Sequence, residues 1–164
     1  MKYYIFRHSE TYFSKYNIHY GGSLESAEII PEGIPVTKRL AEYLKKKDFD
    51  RFFTSPFKRC VQTAEIIEEI TGIKYIEDPR IGEEMINCGK ETFEDVVERI
   101  KNFLEEIKLK NYKAVAICSH GWPIAILTTL ITKGKVSHQD LDNFPECGIL
   151  IEIKNGKLLT KNFN

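Results

Sequence analysis

Ala114-Val115-Ala116-Ile117-Cys118 is an unbroken apolar run, and Ser119-His120-Gly121 ends it with polar and flexible residues. A strand that is apolar at every position, not every second one, is buried on both faces, as in the centre of a parallel sheet. Upstream, Thr92 reads as a cap for an amphipathic helix over Phe93, Val96, Val97, Ile100, Phe103, Leu104 and Ile107. Asp95 three residues on makes the capping box only approximate. Downstream, a second helix is expected from Trp122 or Pro123 to about Ile131. Strands and helices alternate in the same way toward the N-terminus, with no internal repeat of sequence. Lys2-Tyr3-Tyr4-Ile5-Phe6 and Arg51-Phe52-Phe53-Thr54 read as buried strands, and Lys74-Tyr75-Ile76 as a short one.

Pro31 begins a helical pattern through Lys47, with Pro35 inside it, so its first turn is distorted or starts later. Pro56 opens a helix to Ile70 that Thr71-Gly72 closes. Gly148–Ile153 and Lys157–Thr160 flank Asn155-Gly156, a hairpin signal. Residues 9 to 30 lack a sustained period and read as a long loop, and Asp78 to Gly89 as a polar connection. The expected fold is α/β: a three-layer α/β/α sandwich with a mostly parallel central sheet and an antiparallel hairpin near the C-terminus. At 164 residues, 1–164 reads as one domain.

Bulk properties exclude several functions. Lys+Arg and Asp+Glu balance at 24 each, so net charge steers the chain toward neither nucleic acid nor a membrane. The apolar runs fall short of the ~20 residues that span a bilayer, and the N-terminus reads as strand, not signal peptide. Cys60, Cys88, Cys118 and Cys147 form no C-x-x-C pair, which fits reduced thiols in a cytoplasmic protein.

The chemistry concentrates at strand ends. Arg7-His8 follows the first strand directly. A neutral imidazole attacks phosphorus well, and an adjacent guanidinium grips phosphate oxygens while holding the imidazole pKa down. Ser119-His120-Gly121 leads into a helix start whose free N–H groups suit an anion. Thr54-Ser55-Pro56-Phe57-Lys58-Arg59 places an arginine about one turn into a helix. Each string also has a bland reading: a strand cap, a core histidine, a solvated helix arginine.

Their order resembles the histidine phosphatase superfamily, the phosphoglycerate-mutase-like proteins. Arg7-His8-Ser9-Glu10-Thr11 is similar to that family's R-H-G-E-T string, and Pro31-Glu32-Gly33-Ile34 to its L-T-x-x-G helix start. Thr54-Ser55-Pro56-Phe57-Lys58-Arg59-Cys60-Val61-Gln62-Thr63-Ala64-Glu65 is similar to S-S-P-x-x-R-x-x-Q-T-A-E, and Ser119-His120-Gly121 to the second-histidine motif. The resemblance implies that His8 carries the phosphoryl group and that Arg7, Arg59 and His120 neutralise it, with no metal or cofactor. It also implies a carboxylic general acid. Arg80-Ile81-Gly82-Glu83 fits the family's R-L-x-E, making Glu83 the candidate and Glu84 its rival.

Three positions depart from the pattern. Ser9 stands where glycine is usual, Ser14 where a phosphate-contacting asparagine is common, and Ile30 where a capping threonine is usual. The long segment that covers the site in larger members is missing between Glu84 and Gly89-Lys90-Glu91-Thr92. An open site favours hydrolysis over mutase chemistry, since a mutase shields its phosphoenzyme from water. The expected activity is a metal-independent phosphatase working through His8 on a small phosphorylated metabolite or a phosphorylated protein. The alternatives are a phosphoglycerate-type mutase and a weakly catalytic phospho-ligand or protein-binding module. Tyr12, Phe13, Tyr16, His19 and Tyr20 either form an aromatic substrate wall or pack the loop; Tyr20 and Trp122 are the candidate substrate contacts, Ser14 a candidate phosphate contact. His19 and His138 match no motif and read as surface residues.

Overall fold

In a computed structural model describing residues 1–164, β1 (Lys2–Arg7) and β4 (Ala114–Ser119) lie side by side and parallel. Around them run β2 (Arg51–Thr54), β3 (Tyr75–Glu77), β5 (Ile149–Lys154) and β6 (Lys157–Asn162), in the order β3-β2-β4-β1-β5-β6. The first four are mutually parallel; β5 and β6 are antiparallel, closing the hairpin over Asn155-Gly156. The helices are α1 (Tyr12–Lys15), α2 (Ile34–Lys45), α3 (Lys58–Thr71), α4 (Phe93–Leu109) and α5 (Gly121–Lys133). This is the expected α/β sandwich with a mostly parallel sheet.

The two-residue period of β1 divides the core. Tyr3 and Ile5 join Val115 and Ile117 of β4, Ile100 and Phe103 of α4 and Ile124 of α5 on one face. Tyr4 and Phe6 join Ala116 and Cys118, Leu40 and Leu44 of α2 and Ile67 of α3 on the other. All six residues of β4 are buried, as a strand sandwiched between two helical layers must be. No helix is long and apolar enough to cross a membrane.

Several boundaries differ from the sequence reading, for local reasons. Residues 31–33 form a 3-10 turn and α2 starts at Ile34, which accommodates Pro35 as its second residue. Pro56 precedes α3 instead of opening it, so Arg59 is the second helical residue and not a turn inside. The 9–30 stretch contains α1, a single turn that Thr11 and Ser14 cap reciprocally. The Thr92–Asp95 box is complete on both sides. α5 begins at Gly121, with His120 as its N-cap.

Candidate active site

The register of the parallel strands assembles the site. β1 and β4 pair Arg7 with Ser119 and β2 and β4 pair Thr54 with Cys118, so His8, His120 and Ser55 leave the sheet together. The backbone N–H of His8 donates to the Ser119 carbonyl at 3.1 Å, and that of Ser55 to the Cys118 carbonyl at 3.1 Å. The two imidazoles lie 5.4 Å apart, centroid to centroid. Helix α3 brings Arg59 over the same strand ends. Its side chain is 0% exposed: one nitrogen donates to the Leu24 carbonyl, another lies 2.8 Å from His120 Nδ1, and Tyr20 lays its ring 4.3 Å from the guanidinium carbon. The solvated-arginine reading therefore does not hold.

Hydrogen bonds select the tautomers. His8 Nδ1 lies 2.7 Å from the Ser9 carbonyl, which can only accept, so the proton sits on Nδ1. That leaves a lone pair on Nε2, which is buried and has no partner. At His120 the donor is Arg59, so Nδ1 accepts and the Nε2 proton goes to Ser55 Oγ at 2.7 Å. Both imidazoles titrate well below the ordinary histidine value, chiefly because burial disfavours the charged form. For His8 the Arg59 charge comes next and Arg7 only third, so the adjacent arginine is the lesser influence.

Glu83 and Glu84 are divided by where their carboxylates go. Glu83 Oε2 lies 3.5 Å from Arg59 Nη2 and 3.7 Å from His120 Nδ1, and burial raises its pKa against the opposing pull of Arg59. Glu84 instead accepts from the Ile86 N–H at 2.6 Å and Asn87 Nδ2 at 2.9 Å, capping a 3-10 turn at Ile86–Cys88. The loop bearing Glu83 is clamped from α4: Arg99 donates to the carbonyls of Arg80, Gly82 and Glu83 at 2.7, 3.1 and 3.1 Å. Ser119 Oγ adds a bond to the Ile81 carbonyl at 2.7 Å.

Beside these buried groups opens a cavity of about 430 Å3 lined by Arg7, Glu83, Tyr20 and Trp122. Ser14 also lines it, although its hydroxyl accepts the Thr11 N–H at 2.9 Å within the capping box of α1. The aromatic loop packs on itself, and part of it faces the cavity. Tyr12 and Tyr16 pack on each other at 4.8 Å, while Phe13 and Tyr20 stack at 4.8 Å and line the cavity. His19 is exposed at the rim, and His138 is exposed and stacked on Phe93 at 4.0 Å, remote from this cavity.

A sequence profile of the histidine phosphatase superfamily (branch 1) matches residues 3–90 and 84–164. The chain belongs to the histidine phosphatase superfamily. A relative from Hydrogenobacter thermophilus, provisionally named phosphoserine phosphatase 2, is 24% identical across 79% of this chain and 77% of its own. The fold is that of the alpha-ribazole phosphatase of Shigella flexneri (TM-score 0.78, 16% identity, 99% of this chain and 95% of the other). It is equally that of the protein histidine phosphatase SixA, solved with tungstate (TM-score 0.71, 17% identity, 98% and 94%).

Within the superfamily motifs, residues with no assigned role now have physical ones. Thr63 Oγ1 accepts the Ser9 N–H at 2.8 Å, and Gln62 Oε1 the Ile29 N–H at 2.9 Å, so this string of α3 ties down both ends of the 9–30 stretch. Gly33 is needed because a Cβ there would sit 2.4 Å from Ser9 Oγ and 2.9 Å from the Glu10 nitrogen. Sequence reasoning passed over Ser55 as a partner of His120, Arg99 as the clamp, and Phe144, whose ring lies 5.3 Å from the Arg7 guanidinium and packs on Gly121. Ser55 stood inside a quoted motif. Arg99 and Phe144 carry no local signal, because only the tertiary fold brings them to the site.

Proposed function

We propose that this chain is a metal-independent phosphatase that hydrolyses phosphomonoesters through a phosphohistidine on His8. The observation that carries the reading is the buried, unpartnered Nε2 of a neutral His8, beside two guanidiniums. Its lone pair forms a P–N bond as the ester P–O bond breaks, and the leaving oxygen takes the proton of a protonated Glu83. The Glu83 carboxylate then removes a proton from water, whose oxygen attacks phosphorus. The P–N bond breaks, its electron pair returns to Nε2, and inorganic phosphate leaves.

Arg7 and Arg59 supply the preorganised positive charge that phosphoryl transfer demands, and His120 holds the Arg59 guanidinium in place, so the scheme calls for no metal or cofactor. Glu83 suits the acid role because its raised pKa keeps more of it protonated toward neutrality. Hydrolysis is favoured over mutase chemistry because residues 84–92 alone link Glu83 to α4, leaving little to shield a phosphoenzyme from water.

Hydrolysis of p-nitrophenyl phosphate in EDTA, with and without His8→Ala, tests this. Activity that survives the chelator and falls by at least roughly a thousandfold in the variant is expected. Activity that needs a metal, or persists without His8, overturns the mechanism. Phosphate binding with no turnover of any ester would replace it with a phospho-ligand-binding module.

A further inference from the structure

The cavity that opens beside Arg7 and Glu83 is walled by rings and poor in positive charge. Phe13 and Tyr20 stack on each other at an interplanar angle of 27° and line it together with Trp122, Phe144, Ile18 and Leu24. Arg7 is the one lysine or arginine among the lining residues, against two carboxylates, Glu83 and Glu84. In the reaction above, Arg7 is engaged by the phosphoryl group and Glu83 faces the leaving oxygen. What remains for the rest of the substrate is aromatic surface, the amides Asn17 and Asn87, and the rim imidazole of His19.

A substrate with a second anionic group, such as the carboxylate of phosphoserine or a phosphoglycerate, would bring it beside Glu84 with no lysine or arginine to meet it. A buried anion without a partner is strongly disfavoured, whereas a flat apolar ring gains both burial and stacking on such walls. The volume is that of a small-molecule site. Resting on the phosphatase reading, we infer that the substrate is a phosphomonoester of an uncharged alcohol that carries a flat ring. The provisional name of the Hydrogenobacter relative does not transfer on these grounds.

The test compares kcat/KM for primary alkyl esters: 2-phenylethyl phosphate, glycerol 3-phosphate, phosphoserine and 3-phosphoglycerate. Calorimetric binding of the same four to His8→Ala runs in parallel. The ring ester should exceed the two carboxylates by on the order of tenfold or more in both measurements, and Trp122→Ala should remove most of that preference. Carboxylates turned over or bound as well as the ring ester would overturn the inference, as would no binding of the ring ester. If no ester is turned over yet His8→Ala keeps the binding order, the phosphatase reading fails and the ligand class stands.

Discussion

The buried floor of the site and the rim of the cavity beside it are built in different ways. His8, Ser55, Arg59 and His120 are all 0% exposed; the histidines and Ser55 sit just past strand ends whose register is set by continuous hydrogen-bonded pairing, and Arg59 reaches over them from the start of α3. Tyr20, Trp122 and Phe144 are partly exposed and come from a loop, a helix start and the connection before β5. Moving a floor residue means moving the sheet; changing a rim residue costs only its own packing. Phosphate chemistry therefore belongs to the rigid part, and choice of leaving group to the part that can vary.

The sharpest way to break the floor is Arg59→Lys. The guanidinium reaches the Leu24 carbonyl and His120 Nδ1 simultaneously, and lysine, a point charge, cannot reproduce that fork. A loss of roughly 10²–10³ in kcat/KM is expected, similar for aryl and alkyl phosphates because the phosphoryl group is common to both. Retention within about threefold would mean that only positive charge matters there.

Glu83→Gln separates the two regions more finely, because it lies where they meet. An aryl leaving group needs little protonation, so p-nitrophenyl phosphate should change by about tenfold or less, and alkyl phosphates by roughly 10²–10⁴. The pH profile gives the sign. His8 is lowered well below the usual histidine range, so it is a competent nucleophile throughout the neutral region and the acid limb lies low. Burial raises Glu83, and alkyl hydrolysis should fall as pH rises through that raised value. The glutamine variant should lose this alkaline limb. If the limb survives, or both substrates fall equally, the proton comes from another group.

How legible each region was in the sequence follows from the same contrast. The floor could be read because strand gives way to loop in Phe6–Ser9, and strand, turn and helix follow each other closely in Thr54–Arg59 and Cys118–Trp122, so local chemistry reports local geometry. The reading erred where local side-chain-to-backbone bonds overrode propensity. Pro56 lies outside α3 because Ser55 Oγ, 3.3 Å from the Phe57 N–H, holds that segment in a turn ahead of the helix. α1 is one turn long, too short to show a period, and rests on its capping box. Phe144 was invisible: its role comes from packing on Gly121, 23 positions away in sequence (144 minus 121), where a Cβ would meet its ring at 3.1 Å.

Arg99 offers the subtlest probe, since it touches neither floor nor rim yet fixes where Glu83 stands. Its guanidinium holds the carbonyls of Arg80, Gly82 and Glu83 and is itself steadied by Glu91, with Nε 2.7 Å from the carboxylate. Arg99→Lys keeps the charge but cannot span those carbonyls, so Glu83 should lose orientation while the phosphate pocket stays intact. The expected effect is a fall of roughly three- to tenfold in kcat for alkyl phosphates, with KM and the p-nitrophenyl phosphate rate close to unchanged. A purely structural role would show otherwise: both substrates would fall together and Tm would drop with them. The split between substrates, not the size of the loss, is what marks Arg99 as a positioning residue for the proton donor.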